Sequence, residues 1–176
     1  MLLGISGSLR EGATNTLLIR EAGRLWEGPF EEADIRFPLY DNDLEDREGL
    51  PPIVEAVVDQ IARADAVVIT TPEYNQSLSG VLKNALDWIS RSKVKPWAGK
   101  PVALMSAAAG RAGGARASYA LRLAMTSFKP RLLPHEVLIA GARMEFDESG
   151  HLTSERYLAQ VSDIVEALKA EVARGS

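Results

Sequence analysis

Cysteine is missing from the chain altogether, which excludes disulfides, thiolate metal sites and thiol-based redox or acyl chemistry. Any oxidation or reduction must therefore use a borrowed cofactor. Histidine is nearly as scarce: His135 and His151 lie far apart, form no i, i+4 ligand pair and have no cysteine beside them, so a metal centre has little support. No stretch approaches the ~20 apolar residues of a membrane span, and the opening Met1-Leu2-Leu3-Gly4-Ile5 lacks both the basic leader and the longer apolar core of a signal peptide. No membrane is expected, and a cytoplasmic location follows. Neither sign of charge dominates: 24 acids against 20 bases leave a net charge of -4, which marks neither a nucleic-acid surface nor an acidic tail. What remains is the composition of an ordinary globular protein, and 176 residues suit one domain over 1–176.

Short apolar runs alternate with longer amphipathic ones, the pattern of repeated β-α units around a parallel sheet. Five strands are read at Leu2 to Ser6, Asp34 to Phe37, Ala66 to Thr70, Pro101 to Ser106 and Leu132 to Ile139, the last interrupted by Pro134. Helical patterns fall at Thr16 to Trp26, Ile53 to Arg63, Gly80 to Ile89, Arg116 to Met125 and Glu155 to Arg174. In the last of these Leu158, Val161, Ile164, Val165 and Leu168 form a core-facing stripe, with Ser154 as N-cap. The Pro/Gly/acid cluster from Pro38 to Pro52 reads as a long surface loop.

Three strands end in loops rich in small and polar residues. In open α/β sheets the ligand sits outside the carboxyl ends of the strands, so loops after the first, third and fourth strands are expected to meet at one cleft. The first, Ser6-Gly7-Ser8-Leu9-Arg10-Glu11-Gly12-Ala13-Thr14-Asn15-Thr16, offers hydroxyls, backbone N–H groups and the positive end of a helix dipole, all suited to an anion. Arg10 adds a forked, charge-assisted donor.

Which anion follows from what this loop fails to match. Ala13 stands at the lysine of G-x-x-x-x-G-K-[ST], so the β and γ phosphates of a nucleoside triphosphate would have no partner. Gly4 and Gly7 have the wrong spacing for G-x-G-x-x-G, and Ser8 replaces the last glycine of G-x-S-x-G. A hydroxyl-lined cradle without lysine suits a lone phosphomonoester such as that of FMN. The alternative for the same turn is a Ser/Thr-rich cap binding nothing.

The second loop, Thr70-Thr71-Pro72-Glu73-Tyr74-Asn75-Gln76-Ser77, supplies a planar face at Tyr74 and polar groups at Glu73 and Asn75 for the rim of a flat heterocycle; Tyr74 as a plain surface aromatic is the alternative. Ser77 or Ser79 can cap the next helix, where Lys83 and Asp87 form an i, i+4 pair and Trp88 packs on the core or on a neighbouring subunit. The third loop, Ser106-Ala107-Ala108-Ala109-Gly110-Arg111-Ala112-Gly113-Gly114-Ala115-Arg116, has almost no bulk. It would admit a ring closely, or be merely a flexible turn.

Together, Gly7-Ser8-Leu9-Arg10 with Asn15, then Pro72-Glu73-Tyr74-Asn75 followed by Gly80-x-Leu82-Lys83-Asn84-Ala85-x-Asp87-Trp88, then Gly110-x-x-Gly113-Gly114-x-Arg116, resemble the NADPH-dependent FMN reductase family. Its bacterial chromate and quinone reductases look nearest, and the match runs in order to about Tyr119. The resemblance implies a flavodoxin-like α/β three-layer sandwich with a five-stranded parallel sheet of order 2-1-3-4-5, bound FMN, NADPH or NADH as donor, and a homodimer or homotetramer. By position, Ser8, Arg10 and Asn15 would hold the phosphate. Ala13 replaces a serine common in relatives, so Thr14 or Thr16 would supply that hydroxyl. Pro72, Glu73, Tyr74 and Asn75 would line the isoalloxazine, with Ser106, Ala107, Gly110 and Gly113 of the third loop beside it. Ser79 stands where a proline is common. The flavin would carry the chemistry, so no catalytic acid or base is demanded. Hydride would pass in ping-pong fashion to a small-molecule acceptor: a quinone, an azo compound or a metal oxyanion such as chromate. Arg111 and Arg116 read best as solvated surface residues. The competing readings are a flavodoxin-like electron carrier without turnover, and a sensing or scaffolding module that has lost FMN.

Overall fold

The computed structural model describes residues 1–175. Its elements run β1 (Leu2–Ser6), α1 (Thr14–Trp26), β2 (Phe30–Glu32), α2 (Asn42–Glu48), α3 (Pro52–Arg63), β3 (Ala66–Thr71), α4 (Gly80–Ser90), β4 (Pro101–Ala107), α5 (Ala115–Met125), β5 (Arg131–Leu132), β6 (Val137–Ile139) and α6 (Glu155–Arg174). Short 3₁₀ turns follow α5 and β6, at Thr126–Phe128 and Ala142–Met144. The sheet is parallel, in the order β2-β1-β3-β4-β5, with β6 also paired to β4.

The central strands are apolar on both faces, as strands covered by helices on both sides must be. Leu3, Ile5, Val67, Ile69, Val102 and Leu104 point one way, against α3, α4 and α5. Their alternates Leu2, Ala66, Val68, Ala103 and Met105 point the other way, against α1 and α6. The expected three-layer α/β sandwich and its 2-1-3-4-5 order are thus observed. On α6 the buried stripe begins at Tyr157, Leu158 is only partly covered, and Ser154 caps the helix by accepting from Tyr157 N.

Three expectations need correction. The second strand is Phe30–Glu32, in register with Leu2, Leu3 and Gly4, and not Asp34 to Phe37. Ile35 and Phe37 are buried, but in an unpaired segment packed on the α3 side of the sheet. Periodicity reported burial there, and pairing lay four residues earlier, at a short edge strand half exposed to water. The fifth strand is two pieces, because Pro134 has no N–H to give the ladder: Leu132 pairs with Val102, and Val137–Ile139 pairs with Met105–Ala107. The sheet therefore has six strands. The Pro38 to Pro52 loop contains α2, whose N-cap Asp41 accepts from Asp43 N at 2.9 Å; with no buried residue it leaves no apolar stripe to read. Trp88 lies in the core of this chain, donating from Nε1 to Pro38 O at 2.8 Å and meeting Tyr40 edge-on.

Candidate active site

The loops after β1, β3 and β4 meet at the carboxyl edge of the sheet, and buried polar side chains tie them together. Asn15, 2% exposed, donates from Nδ2 to Ala107 O at 2.9 Å and accepts on Oδ1 from Ala107 N at 3.1 Å. Thr70 Oγ1 donates to Asn15 O at 3.0 Å. Ser79 Oγ caps α4 by accepting from Leu82 N, and donates to Gly7 O at 2.6 Å. Gly7 N donates to Thr70 O at 2.7 Å, and a Cβ at Gly7 would lie 2.8 Å from that same oxygen, so no larger residue fits. Ser106 Oγ donates to Thr71 O at 2.6 Å. Each bond satisfies a group that burial would otherwise leave costly.

Between these ties lies an open cleft of about 250 Å³. At one end is the start of α1. Ala13 offers no side-chain cap, and among the described residues the N–H groups of Thr14 and Asn15 meet no protein acceptor. These free amides and the dipole of α1 meet the cleft where Ser8, Thr14 and Arg10, whose Nη2 donates to Gly12 O at 3.2 Å, also line it, an arrangement suited to an anion. At the other end Pro72, Tyr74, Ala107 and Ala108 form low, flat walls. The residues present thus fit a phosphate at one end and a planar ring at the other.

Of the sequence-derived candidates, Ser8, Arg10, Thr14, Asn15, Pro72, Glu73, Tyr74 and Ala107 line this cleft. Several of them are committed to other work. The Asn15 amide is engaged at both ends by Ala107, so its side chain holds loops together. Glu73, 17% exposed, accepts from Arg116 N and Arg116 Nη1, both at 3.2 Å, so its carboxylate caps α5 from across the cleft; Arg116 is ion-paired, not simply solvated.

The remaining candidates stand outside the cleft. Thr16 Oγ1 donates to Ser6 Oγ at 2.9 Å and faces a neighbouring hollow of about 300 Å³ on the β2 side of the first loop. Asn75 sits at the tip of a two-residue hairpin whose flanking Tyr74 and Ser77 exchange backbone bonds at 3.1 Å. Asn75 and Gln76 both have positive φ, 49° and 64°, as a primed turn demands. Ser106 is buried and spent on Thr71. Gly110 is exposed and accepts the turn bond from Gly113 N at 3.2 Å. Gly113, at φ 59°, passes so close to β6 that a Cβ would stand 2.6 Å from the Leu138 carbonyl carbon.

Sequence reasoning missed Ala142 and Arg143, which also line the cleft. Ala142 N donates to Ala108 O at 3.1 Å, and Arg143 is exposed with no partner among the described residues. One signal was available: a parallel strand ending at Ile139 beside the fourth must deliver the next residues to the same edge of the sheet.

Over residues 1–143 the chain matches the family described as NADPH-dependent FMN reductase. It is 44% identical to an NAD(P)H-dependent FMN reductase of Pseudomonas aeruginosa, over 98% of this chain and 95% of that one. It is 48% identical to a quinone reductase of Escherichia coli, over 66% of this chain and 64% of that one. Among solved structures it resembles a flavoenzyme NAD(P)H:(acceptor) oxidoreductase of Paracoccus denitrificans, with a TM-score of 0.86 and 29% identity, covering 98% and 97% of the two chains.

Proposed function

The chain belongs to the NADPH-dependent FMN reductase family, and from that premise we propose that it is an FMN-dependent NAD(P)H oxidoreductase acting on quinones. FMN, when bound, accepts hydride from NADPH or NADH and gives it up to an acceptor that takes the donor's place, so the protein's own work is to grip, orient and expose it. The observation that carries this reading is the single cleft with free α1 amides at one end and flat, small-residue walls at the other.

In this reading the N–H groups of Thr14 and Asn15, the hydroxyls of Ser8 and Thr14 and the Arg10 guanidinium hold the phosphate. Pro72, Tyr74, Ala107 and Ala108 flank the ring. The side chains of Asn15, Ser106 and Glu73 act as positioning groups, and Thr16, Asn75, Gly110 and Gly113 keep the loops in shape. Azo compounds and metal oxyanions such as chromate are further acceptors that an open face of this kind would admit. We read residues 1–176 as one FMN-binding domain working in the cytoplasm, where NAD(P)H is supplied. Among the described residues no helix is long and apolar enough to cross a membrane. A homodimer or homotetramer is supported by the large apolar side chains left exposed, Tyr119, Leu123 and Met144 among them.

Stopped-flow mixing of FMN-loaded protein with NADPH tests the reading. The flavin absorbance should bleach in a single turnover and return when a soluble quinone is added. Protein that stays yellow, or bleaches without steady-state quinone reduction, would overturn it, the second result in favour of an electron carrier.

A further inference from the structure

At the amino edge of the sheet, the end opposite the cleft, a second cavity of about 520 Å³ opens between the C-terminus of α4, the connection into β4 and the turn after α5. It is well within the size range of small-molecule sites. Its floor is the partly exposed Phe128 ring, backed by the buried Trp97 ring 6.3 Å away at 53°. Trp97 is 2% exposed, yet its indole Nε1 has no hydrogen-bond partner, one of two buried side-chain polar atoms so placed among the described residues.

The rim is cationic. Lys95 and Lys129 are exposed members of the lining. Lys95 Nζ touches only the Ser90 carbonyl, at 3.2 Å, and the Lys129 ammonium has no partner among the described residues. Both lysines hold left-handed backbone, φ 53° and 57°, a conformation that costs a lysine free energy and is occupied here on both sides of one cavity. The two segments are joined by Gly99 N donating to Lys129 O at 3.0 Å. These two lysines are the charged members of the lining, and no aspartate or glutamate lines the cavity.

We propose that this amino-edge cavity is a second ligand site, for a flat aromatic anion whose ring lies on Phe128 and whose charge is met by Lys95 and Lys129. The site is separate from the cleft and does not depend on the flavin reading. An aromatic body gains from burial against the Phe128 ring, and the anionic group gains from two ammonium ions with no acid in the lining beside them.

Isothermal titration of FMN-loaded protein with 2-naphthoate tests this. Saturable one-site binding is expected. The double substitution Lys95→Asn and Lys129→Asn should weaken it about tenfold, the scale of losing two charge-assisted contacts. Asparagine is chosen because it tolerates positive φ, so the backbone keeps its course. Lys129→Asn alone should give an intermediate loss, which keeps the test available if the double variant folds poorly. The uncharged 2-naphthamide should bind native protein about as weakly as naphthoate binds the double variant. Absence of saturable binding, equal affinity in native and variant protein, or naphthamide binding as tightly as naphthoate would each overturn the proposal.

Discussion

The floor of the cleft and its hairpin rim are built on opposite principles. The floor is buried and fully bonded: Asn15, Thr70, Ser79 and Ser106 are at most 2% exposed, and each spends its polar atoms on the backbone of another loop. The rim, Tyr74–Ser77, projects into solvent on two non-glycine residues in left-handed conformation and is closed by one pair of backbone bonds. The buried polar side chains thus serve the scaffold, and the groups left over for a ligand are main-chain amides and exposed side chains. Polarity in a loop does not by itself mark a ligand contact.

The sharpest way to break this contrast is Asn15→Leu. It would leave both polar groups of Ala107 buried and unpaired, and should cost about 3 kcal/mol of stability, seen as a lowered Tm with loss of FMN retention. Arg10→Ala should do the converse. Among the described residues its side chain bonds only Gly12 O, at 3.2 Å, and it is exposed, so Tm should hold while the Kd for FMN, read by fluorescence titration, rises about tenfold. A fall in Tm comparable to that of Asn15→Leu would erase the distinction between floor and ligand contacts. Gln76→Gly has the smallest expected effect and the opposite sign. Glycine relieves the positive φ of 64° at the second central position of the turn, and should stabilise the protein by about 0.5 kcal/mol in denaturant unfolding.

The same contrast explains what could be read from sequence. β3 was legible because all six of its residues are buried, so its apolar run is unbroken. β2 was not, because Phe30-Glu31-Glu32 is a three-residue edge whose one large apolar ring lies over Gly4 and Gly23, a contact between positions no local window joins. The three loops were legible as loops, and their convergence followed from strand order. The individual roles were less so. Asn15 is polar in either role, and only the arrival of Ala107 beside it decides that its amide is a tie. Glu73 was visible as an acid, but its partner Arg116 lies 43 residues on, across the cleft. Arg143 fell in a tail without a motif, and it reaches the cleft because Ile139 pairs with Ala107.

The Asn15–Ala107 tie also sets an order of events during synthesis. It spans 92 positions, so a nascent chain that has emerged only as far as α4 has two of the three loops and no wall behind them. In the proposed reading the ring-facing wall of the cleft is completed only when β4 docks beside β3, so the emerging chain presents the anion end before the ring end.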